Sequence, residues 1–213
     1  RVLQQRNAAL RAAKGRDVNL PAETGVWTTR LIALASCVDR LRRWYVDLLV
    51  PAIEAQMKLL APELGVSVSY SCGWPETSSF EDSLSQSRLR DVKSAVTNYG
   101  PHRADLRLDV ALGRAGATLS RGQAKVVASA IRLAQAQLTA DVAGRRSVFL
   151  IDDIGAELDQ AHNARLFRAL EQLGCQVFAT ATNASSLAGS FTGGRRQMFH
   201  VEQGLCHPID TEE

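Results

Sequence analysis

The sequence predicts an α/β protein in which a parallel sheet is covered by helices and joined to a mainly helical region. Val148–Ile151 is a run of four apolar residues, typical of a strand buried on both faces in a parallel sheet. A second run, residues 177–179, follows after one amphipathic helical segment. Strand, helix and strand in this order form a right-handed crossover, so the two strands are predicted to pair in parallel. Residues 27–60 have a helical period throughout and predict a long helical region.

Composition sets the class of the protein without naming its function. The chain has 213 residues, 46% of them hydrophobic and 22% charged, as in a globular protein of one or two domains. No apolar run approaches the roughly 20 residues of a membrane span. Because the chain begins at Arg1 without an initiator Met or an apolar leader, we expect a piece of a longer protein without an export signal. Its cysteines are too dispersed for a zinc site or a disulfide framework and suit a reducing cytosol: Cys37, Cys72, Cys175 and Cys206.

Positive charge is concentrated near the start of the chain. Residues 1–50 contain nine Lys and Arg against four Asp and Glu, although the whole chain carries a net charge of only +3. Clustered cations permit contact with a phosphate backbone, but a solvated Arg-rich helix face explains the same count. Arg40, Arg42 and Arg43 are the cluster we would test for DNA contact.

The first 60 residues are predicted to be mainly helical. Residues 1–14 favour a helix that ends near Gly15, and residues 17–25 favour a polar turn. Next comes an apolar stripe with alternating steps of four and three, the heptad spacing of a helix packed along another helix. Pro51 should kink or interrupt this helix. The stripe is predicted to be core and consists of Trp27, Leu31, Leu34, Val38, Leu41, Tyr45 and Leu48.

A change of period marks the start of the sheet. Residues 66–74 alternate apolar and polar side chains, which predicts a half-exposed strand. A helix follows from about Ser79, where serines and the acids Glu81 and Asp82 supply N-terminal signals. A Gly-Pro turn at residues 99–105 and a second half-exposed strand at 106–112 come next.

Residues 119–123, Leu-Ser-Arg-Gly-Gln, form the first candidate motif. Ser120 precedes Gln123 by three residues, a capping box that starts a helix. Gly122 leaves the backbone bare beside amides that favour an anion such as a phosphate, and Ser120 and Arg121 add side-chain donors. Any capped helix can show the same Ser-x-x-Gln spacing, so the residues alone leave the phosphate role open.

Asp152 and Asp153 form the second candidate motif, directly after the apolar strand. Ligands of open α/β sheets bind beyond the carboxyl ends of the strands, where one Asp can hold Mg²⁺ and another can orient water. Plain capping of the next helix is the alternative. Thr180 and Thr182 end the neighbouring strand at the same level and could reach the same phosphate, although a hydroxyl that caps a loop is the commoner case.

The last third of the chain is predicted to complete the sheet. Asp159 should cap a helix that buries Leu166, Phe167, Leu170 and Leu173 and stops at Gly174. A Ser/Gly loop at residues 185–194 leads to a last strand at 197–202, and the end after Gly204 is expected to be frayed.

Four segments in this order, QRNAAL, GPHRADL, LSRGQ and IDDIGAELD, resemble the carboxyl-terminal part of the RecF family of bacterial recombination mediators. The resemblance covers nearly the whole chain. It implies the returning half of an ABC-type P-loop ATPase core with a helical arm inserted in it. By this likeness residues 1–95 belong to the arm, residues 96–204 to the core and residues 205–213 to a frayed tail.

The resemblance also implies roles for individual residues. Ser120, Arg121, Gly122 and Gln123 would close on ATP held by the opposite subunit. Asp152 would be the Mg²⁺-side acid and Asp153 the catalytic acid that places the attacking water. The further residues implied in the nucleotide site are Glu157 and Asp159, in the loop joining the two sites across the dimer, and Thr182.

The implied function is ATP-dependent dimerisation on double-stranded and gapped DNA in the cytoplasm, at the nucleoid. Partners would be a ring-forming mediator of the RecR type and, indirectly, the strand-exchange recombinase, and no membrane is involved.

Three departures from the family pattern qualify this expectation. Asp153 stands where most ABC members have Glu, and residues 180–182 read Thr-Ala-Thr where most have a His. No Gly-Lys dipeptide occurs, so the phosphate loop is absent from these residues. We therefore expect slow ATP hydrolysis in the complete protein and none from this chain alone. An inactive remnant, a non-enzymatic interaction module and a transporter-type subunit are the alternatives, the last disfavoured because residues 152–155 read Asp-Asp-Ile-Gly rather than Asp-Glu-Pro-Thr.

Overall fold

The computed structural model describes residues 1–14, 20–110, 113–154, 160–183, 187 and 196–209. The chain divides into two compact units. Unit 1 comprises Arg1–Glu54 with Glu63–Leu119, and unit 2 comprises Ala55–Pro62 with Ser120–Glu213. The division between arm and core predicted at residues 95 and 96 stays a prediction.

The helices that begin unit 1 are α1 (Val2–Ala13) and α2 (Leu20–Leu60). The predicted turn over residues 17–25 is wrong from Leu20 onward, because the helix has already begun there. Pro51 lies inside α2 and does not end it. At 1.5 Å per residue this helix is about 60 Å long. The predicted heptad stripe is only partly core, since Leu31 is buried whereas five of its members are exposed: Leu34, Val38, Leu41, Tyr45 and Leu48.

An antiparallel sheet forms the rest of unit 1. Its strands are β1 (Val66–Ser71), β2 (Asp105–Val110) and the two-residue β3 (Gly113–Arg114). The predicted alternation is confirmed in β1, where each apolar residue is less exposed than the serine that follows it as far as Ser69. Between β1 and β2 lie α3 (Phe80–Ser94) and a 3-10 turn, Pro101–Arg103; α4 (Ala115–Thr118) follows β3.

Helix α3 starts as the sequence predicts. Its N-cap is Ser79, whose hydroxyl accepts a hydrogen bond of 3.0 Å from the Asp82 amide. Phe80 and Leu84 then pack with Leu31 and Ala35 of α2 to form the core cluster of unit 1. This cluster holds the first half of α2 against the sheet-bearing part of the unit.

A buried polar network joins α1, α3 and the segment after α3. The Arg6 guanidinium donates to Asp91 Oδ2 at 2.9 Å and to the Thr97 hydroxyl at 2.6 Å. Arg6, Asp91 and Thr97 are each at most 3% exposed. Asn98 donates to the other Asp91 oxygen through its backbone and its side chain, at 3.0 and 2.8 Å. Because the buried charges are paired and hydrogen-bonded, these interactions offset the cost of removing the charges from water, and the network fixes the three segments relative to one another.

Unit 2 contains α5 (Arg121–Ala143), β4 (Val148–Ile151), α6 (Gln160–Leu173) and β5 (Gln176–Ala179). The predicted parallel crossover is confirmed, with Ile151 opposite Ala179. The inward side of α6 agrees with prediction at three of its four residues, since Leu166, Phe167 and Leu170 are buried whereas Leu173 is only partly buried.

The prediction that β4 is buried on both faces is wrong for the described residues. Val148 is 56% and Leu150 79% exposed, and Phe178 on the paired strand is 56% exposed. Alternate residues of both strands therefore form one apolar face that these residues do not cover, whereas the other face packs inward.

The end of the described chain forms a hairpin of β6 (Met198–Glu202) and β7 (Leu205–Ile209). The expected fraying after Gly204 is therefore wrong as far as Ile209, because these residues pair with β6. Residues 210–213, the rest of the predicted tail, lie outside the described residues.

Candidate functional site

Asp152 and Asp153 follow β4 at its carboxyl end, and both side chains are exposed. Thr180 follows β5 at the same level because β4 and β5 pair in parallel with Ile151 opposite Ala179. Its hydroxyl donates to Asp152 Oδ1 at 2.6 Å and accepts the Asp153 amide at 2.9 Å. One side chain on the neighbouring strand thus positions both aspartates.

The backbone at Asp153 is held in a conformation that non-glycine residues seldom adopt. Its φ is +50°, in the left-handed region, which costs about 1–3 kcal/mol and persists only where the surroundings enforce it. The Ile154 amide donates to the Thr180 carbonyl at 2.8 Å, and the Ile154 side chain is only 5% exposed. The turn is therefore anchored on both sides of Asp153, and its carboxylate projects to solvent from a fixed point.

The described side-chain oxygens suit a hard cation whose other ligands are mostly water molecules or phosphate oxygens. The structure offers no group of three or more His, Cys, Asp and Glu side chains placed to hold a metal among the residues it describes. Mg²⁺ typically takes one or two carboxylates and completes its shell with water and substrate phosphates. Asp152, exposed and oriented by Thr180, fits that role, whereas an all-protein Ca²⁺ cage does not fit these residues.

The motif at residues 120–123 forms the capping box that the sequence predicts. The Gln123 amide donates to Ser120 Oγ at 3.2 Å, and the Ser120 amide donates to Gln123 Oε1 at 3.0 Å. These two bonds satisfy two of the four amides that a helix start leaves open, and the remaining two belong to Arg121 and Gly122. Arg121 is exposed. The tip of α5 therefore presents amides, a hydroxyl and a guanidinium to an anion.

Helix α5 and the acidic turn share a cavity of about 570 Å³ within unit 2. Lys125, Ser129 and Arg132 line it from the helix, Asp152 and Asp153 line it from the end of β4, and apolar residues of β4, Val148 to Ile151, line the rest of that side. Two cations and two carboxylates thus face one space, an arrangement suited to a phosphate held with a divalent cation. None of residues 120–123 is among the described residues that line it.

Three further residues, Thr182, Glu157 and Asp159, are predicted in the nucleotide site. Thr182 is exposed just beyond β5, and no described hydrogen bond joins it to either aspartate. Its predicted role is therefore untested. Glu157 and Asp159 lie outside the described residues. Thr180 is the residue whose role sequence reasoning missed, since it braces the aspartates rather than reaching past them. The predicted parallel register placed Thr180 level with the acids but did not indicate its hydrogen bonds to them.

The predicted basic cluster on α2 is exposed, but two of its three arginines bind within unit 1. Arg42 donates to the Pro101 carbonyl at 2.6 Å, and Arg43 donates to Asp39 Oδ2 at 2.8 Å. Arg43 also lies over the Tyr70 ring, 5.7 Å from its centroid. Both arginines keep their charge at the surface, yet their contacts explain them structurally without DNA.

Proteins of known sequence resemble the chain closely over its length. The DNA replication and repair protein RecF from Shewanella frigidimarina is 34% identical to this chain over 210 residues. The aligned residues cover 99% of this chain and 57% of that protein. RecF from Pseudomonas paraeruginosa is 38% identical over 212 residues, with 99% of this chain and 56% of that protein covered. The chain is a relative of RecF.

The resemblance to the RecF family is thus confirmed, and the chain spans just over half the length of the RecF proteins it matches. No protein-family model matches it. A solved structure of the recombination mediator protein RecF with ATPrS superposes with a TM-score of 0.74 at 20% identity, covering 98% of this chain and 56% of that one. A second structure, of RecF with ATP, gives the same TM-score at 18% identity. These likenesses confirm the predicted fold class as an α/β fold shared with the RecF structures.

No helix within the described ranges is both long and apolar enough to cross a bilayer.

Proposed function

We propose that the chain is part of a DNA-binding ABC-type ATPase of recombinational repair. It binds ATP and Mg²⁺ as part of a longer protein, dimerises in that state, and acts on double-stranded and gapped DNA to help load the strand-exchange recombinase. The observation that carries the proposal is the pair of exposed aspartates braced by Thr180 in a cavity that also contains Lys125 and Arg132. RecF relatives named for DNA replication and repair support the biological setting.

Within this proposal each described residue has a chemical task. Mg²⁺, when bound, screens the negative charge of the phosphates. Asp152 holds the cation side of the site, and Asp153 orients a water toward the phosphate. An Asp in this position has a side chain one methylene shorter than Glu and reaches the water less well, so turnover is slow. Ser120, Arg121 and Gly122 bind a phosphate of the ATP that is held by the opposite subunit. Gln123 holds Ser120 in place through the capping box.

The exposed face of β4 and β5 fits a chain that needs a further segment. Val148, Leu150 and Phe178 present apolar surface that a sheet between helices would bury. We propose that the additional length of the RecF relatives covers this face and brings the phosphate loop beside Asp152. ATP binding and turnover then require the longer protein. The same proposal includes an arm at residues 1–95, a core at residues 96–204, and nucleotide contacts from Glu157, Asp159 and Thr182. It also includes RecR-type partners and a location at the nucleoid in the cytoplasm.

Nucleotide binding to this chain and to a version extended to the length of its RecF relatives tests the proposal. We expect Mg²⁺-ATP to bind only the extended protein and to drive its dimerisation.

Two substitutions in the extended protein test the residue roles. Ser120→Arg should abolish ATP-dependent dimerisation, measured by sedimentation, while monomer ATP binding persists, because the bulky side chain blocks the helix tip. Asp153→Asn should slow hydrolysis and prolong the ATP-bound dimer on DNA. An extended protein that does not bind ATP would refute the proposal in favour of a non-enzymatic module.

A further inference from the structure

An open cleft of about 570 Å³ lies in unit 1, between the middle of α2 and the start of α3. Trp74, Ser79 and Phe80 line one wall, from the segment after β1 and the first turn of α3. The other wall is one face of α2, with Asp39 beside residues at steps of four, three, one and three: Ser36, Arg40, Arg43, Trp44 and Asp47. This space is called here the tryptophan cleft.

Two of the three tryptophans of the chain line the tryptophan cleft, one on each wall. Trp44 belongs to α2 and is 54% exposed. Trp74 is partly buried, and its ring lies against Phe80 with the two centroids 4.8 Å apart. Phe80 is in turn buried in the core cluster of unit 1. The cleft therefore has one aromatic wall supported by the core and one exposed indole whose faces are free to receive a flat ring.

The charges that line the cleft balance, two arginines against two aspartates. Arg43 Nε donates to Asp39 Oδ2 at 2.8 Å, and the Tyr70 hydroxyl donates to Asp39 Oδ1 at 3.1 Å, so this ion pair is already engaged. The Arg40 and Asp47 side chains are exposed and form no hydrogen bond or ion pair with any residue that the structure describes. They lie about 10 Å apart along the helix axis, on either side of Trp44. The cleft thus offers one free donor group and one free acceptor group around an indole.

This lining favours a flat, uncharged ring with hydrogen-bonding edges. A polyanion gains no net attraction from charges that sum to zero. An aliphatic side chain would fill the space but offer no hydrogen bond to Arg40 or Asp47. A nucleobase has two aromatic faces for the tryptophans and both donors and acceptors at its edge. In a duplex, stacked neighbours cover those faces and the pairing partner occupies the edge, so an unpaired base is the form that fits.

We propose that the tryptophan cleft binds one unpaired base of a single-stranded DNA segment, stacked on Trp44 and Trp74. The inference takes from the proposed function only that the polymer is DNA. All residues of the cleft belong to unit 1, whereas the acidic turn and the tip of α5 belong to unit 2. Binding in the cleft needs no ATP, so this inference and the ATPase proposal can fail separately.

Fluorescence anisotropy with two labelled strands tests the inference on the chain as it stands, without ATP. Both strands have about 12 nucleotides and the same phosphates, but one carries thymine throughout and the other carries abasic sugars. We expect the thymine strand to bind roughly tenfold more tightly, since stacking of a base on an aromatic side chain supplies a gain of this size. Trp44→Ala should bring the thymine strand to the level of the abasic strand. Trp44→Phe retains an aromatic face and should keep most of the difference.

Tyr45→Ala is the matched control. Tyr45 is the next residue of α2, is also an exposed aromatic at 38%, and is not among the described residues that line the cleft. This variant should bind both strands like the parent, and matching circular dichroism melts establish that each variant is folded.

Four outcomes would overturn the proposal. Equal binding of the two strands by the parent would leave phosphate contact as the whole interaction, and binding of neither strand would leave the cleft without this ligand. An unchanged preference in Trp44→Ala, or an equal loss in Tyr45→Ala, would place any base contact elsewhere. Thymidine monophosphate that displaces the thymine strand at equal concentration would assign the cleft to a free nucleotide instead of a strand.

Discussion

The Thr180 hydroxyl lies 2.6 Å from Asp152 Oδ1 and donates to it, although 28 residues separate the two in sequence. The same oxygen accepts the amide of Asp153 at 2.9 Å. A hydroxyl has one donor and two lone pairs, so one Thr can serve both neighbours at once. The exposed acids at the end of β4 are thus oriented by the strand beside them, before any ligand binds.

Thr180→Val should lower the stability of the turn, because it keeps the side-chain shape but removes both hydrogen bonds. We expect a loss of about 1 kcal/mol in the free energy of unfolding, measured by urea denaturation, and faster hydrogen exchange at the Asp153 amide. Thr180→Ser retains the hydroxyl and should behave nearly as the parent. Thr182→Val is the matched control at an exposed position, expected within about 0.5 kcal/mol of the parent. Equal damage from the Ser and Val changes at Thr180 would contradict the assigned role.

Local signals predicted much of the fold because they act over a few residues. The capping box of Ser120 and Gln123 and the Ser79 cap follow from residue type and spacing alone, and both are present. The parallel pairing of β4 with β5 follows from the handedness of the crossover. The placement of the acids at an exposed strand end follows from the same topology.

Burial was harder to predict, because periodicity shows that a face is apolar but not what covers it. The apolar run of β4 predicted cover on both sides, yet Leu150 is 79% exposed among the described residues. The heptad stripe of α2 predicted a core, but only its Leu31 packs with Phe80 and Leu84, together with Ala35 from outside the stripe. The bracing role of Thr180 was not predicted, because it depends on hydrogen bonds across strands rather than on a motif.

Asp91→Ala should strongly destabilise unit 1. It leaves the Arg6 charge, 3% exposed, without its carboxylate partner at 2.9 Å and also removes the acceptor of Asn98. Breaking a buried ion pair on one side costs about 3–5 kcal/mol. Asp47→Ala, at an exposed position of α2, should change the free energy of unfolding by less than about 0.5 kcal/mol. The double variant Arg6→Met with Asp91→Leu should recover part of the free energy of unfolding that Asp91→Ala loses. If Asp91→Ala alone has only a mild effect, water reaches the Arg6 guanidinium.

His102 should make stability fall at mildly acidic pH. Partial burial of the ring is the main cause that lowers its pKa, and the nearby Arg103 charge lowers it further, against the hydrogen bond with the Thr97 carbonyl at 3.1 Å, which raises it. Because the folded pKa lies below the unfolded value of about 6.5, the unfolded state binds more protons. The contribution of His102 is therefore complete above pH 6.5 and is lost as the pH falls through the folded pKa.

Urea midpoints from pH 7.5 to pH 5 check this sign. His102→Gln cannot titrate but can still donate to the Thr97 carbonyl, so the difference in stability between parent and variant should move in favour of the variant as the pH falls. A constant difference across the range would remove His102 as the cause.

Gly73→Ala should be among the most damaging small changes in unit 1. Gly73 has a φ of +95°, which L side chains rarely adopt, and an added Cβ would overlap the Gly100 carbonyl oxygen and approach the Ala104 nitrogen to 2.8 Å. The backbones meet there because the Gly100 amide donates to the Gly73 carbonyl at 3.1 Å, which ties the end of β1 to the turn before Pro101–Arg103. Strain and overlap together should cost about 3 kcal/mol or more in the free energy of unfolding.

Gly25→Ala is the control for that change. Gly25 lies within α2, and an added Cβ would meet nothing within 4 Å, so Ala should stabilise the helix by about 0.5–1 kcal/mol. The two substitutions are chemically identical and opposite in expected sign, which thermal melts of both variants resolve directly. If Gly73→Ala melts at or above the parent temperature, the close approach of Gly73 and Gly100 does not hold this turn in place.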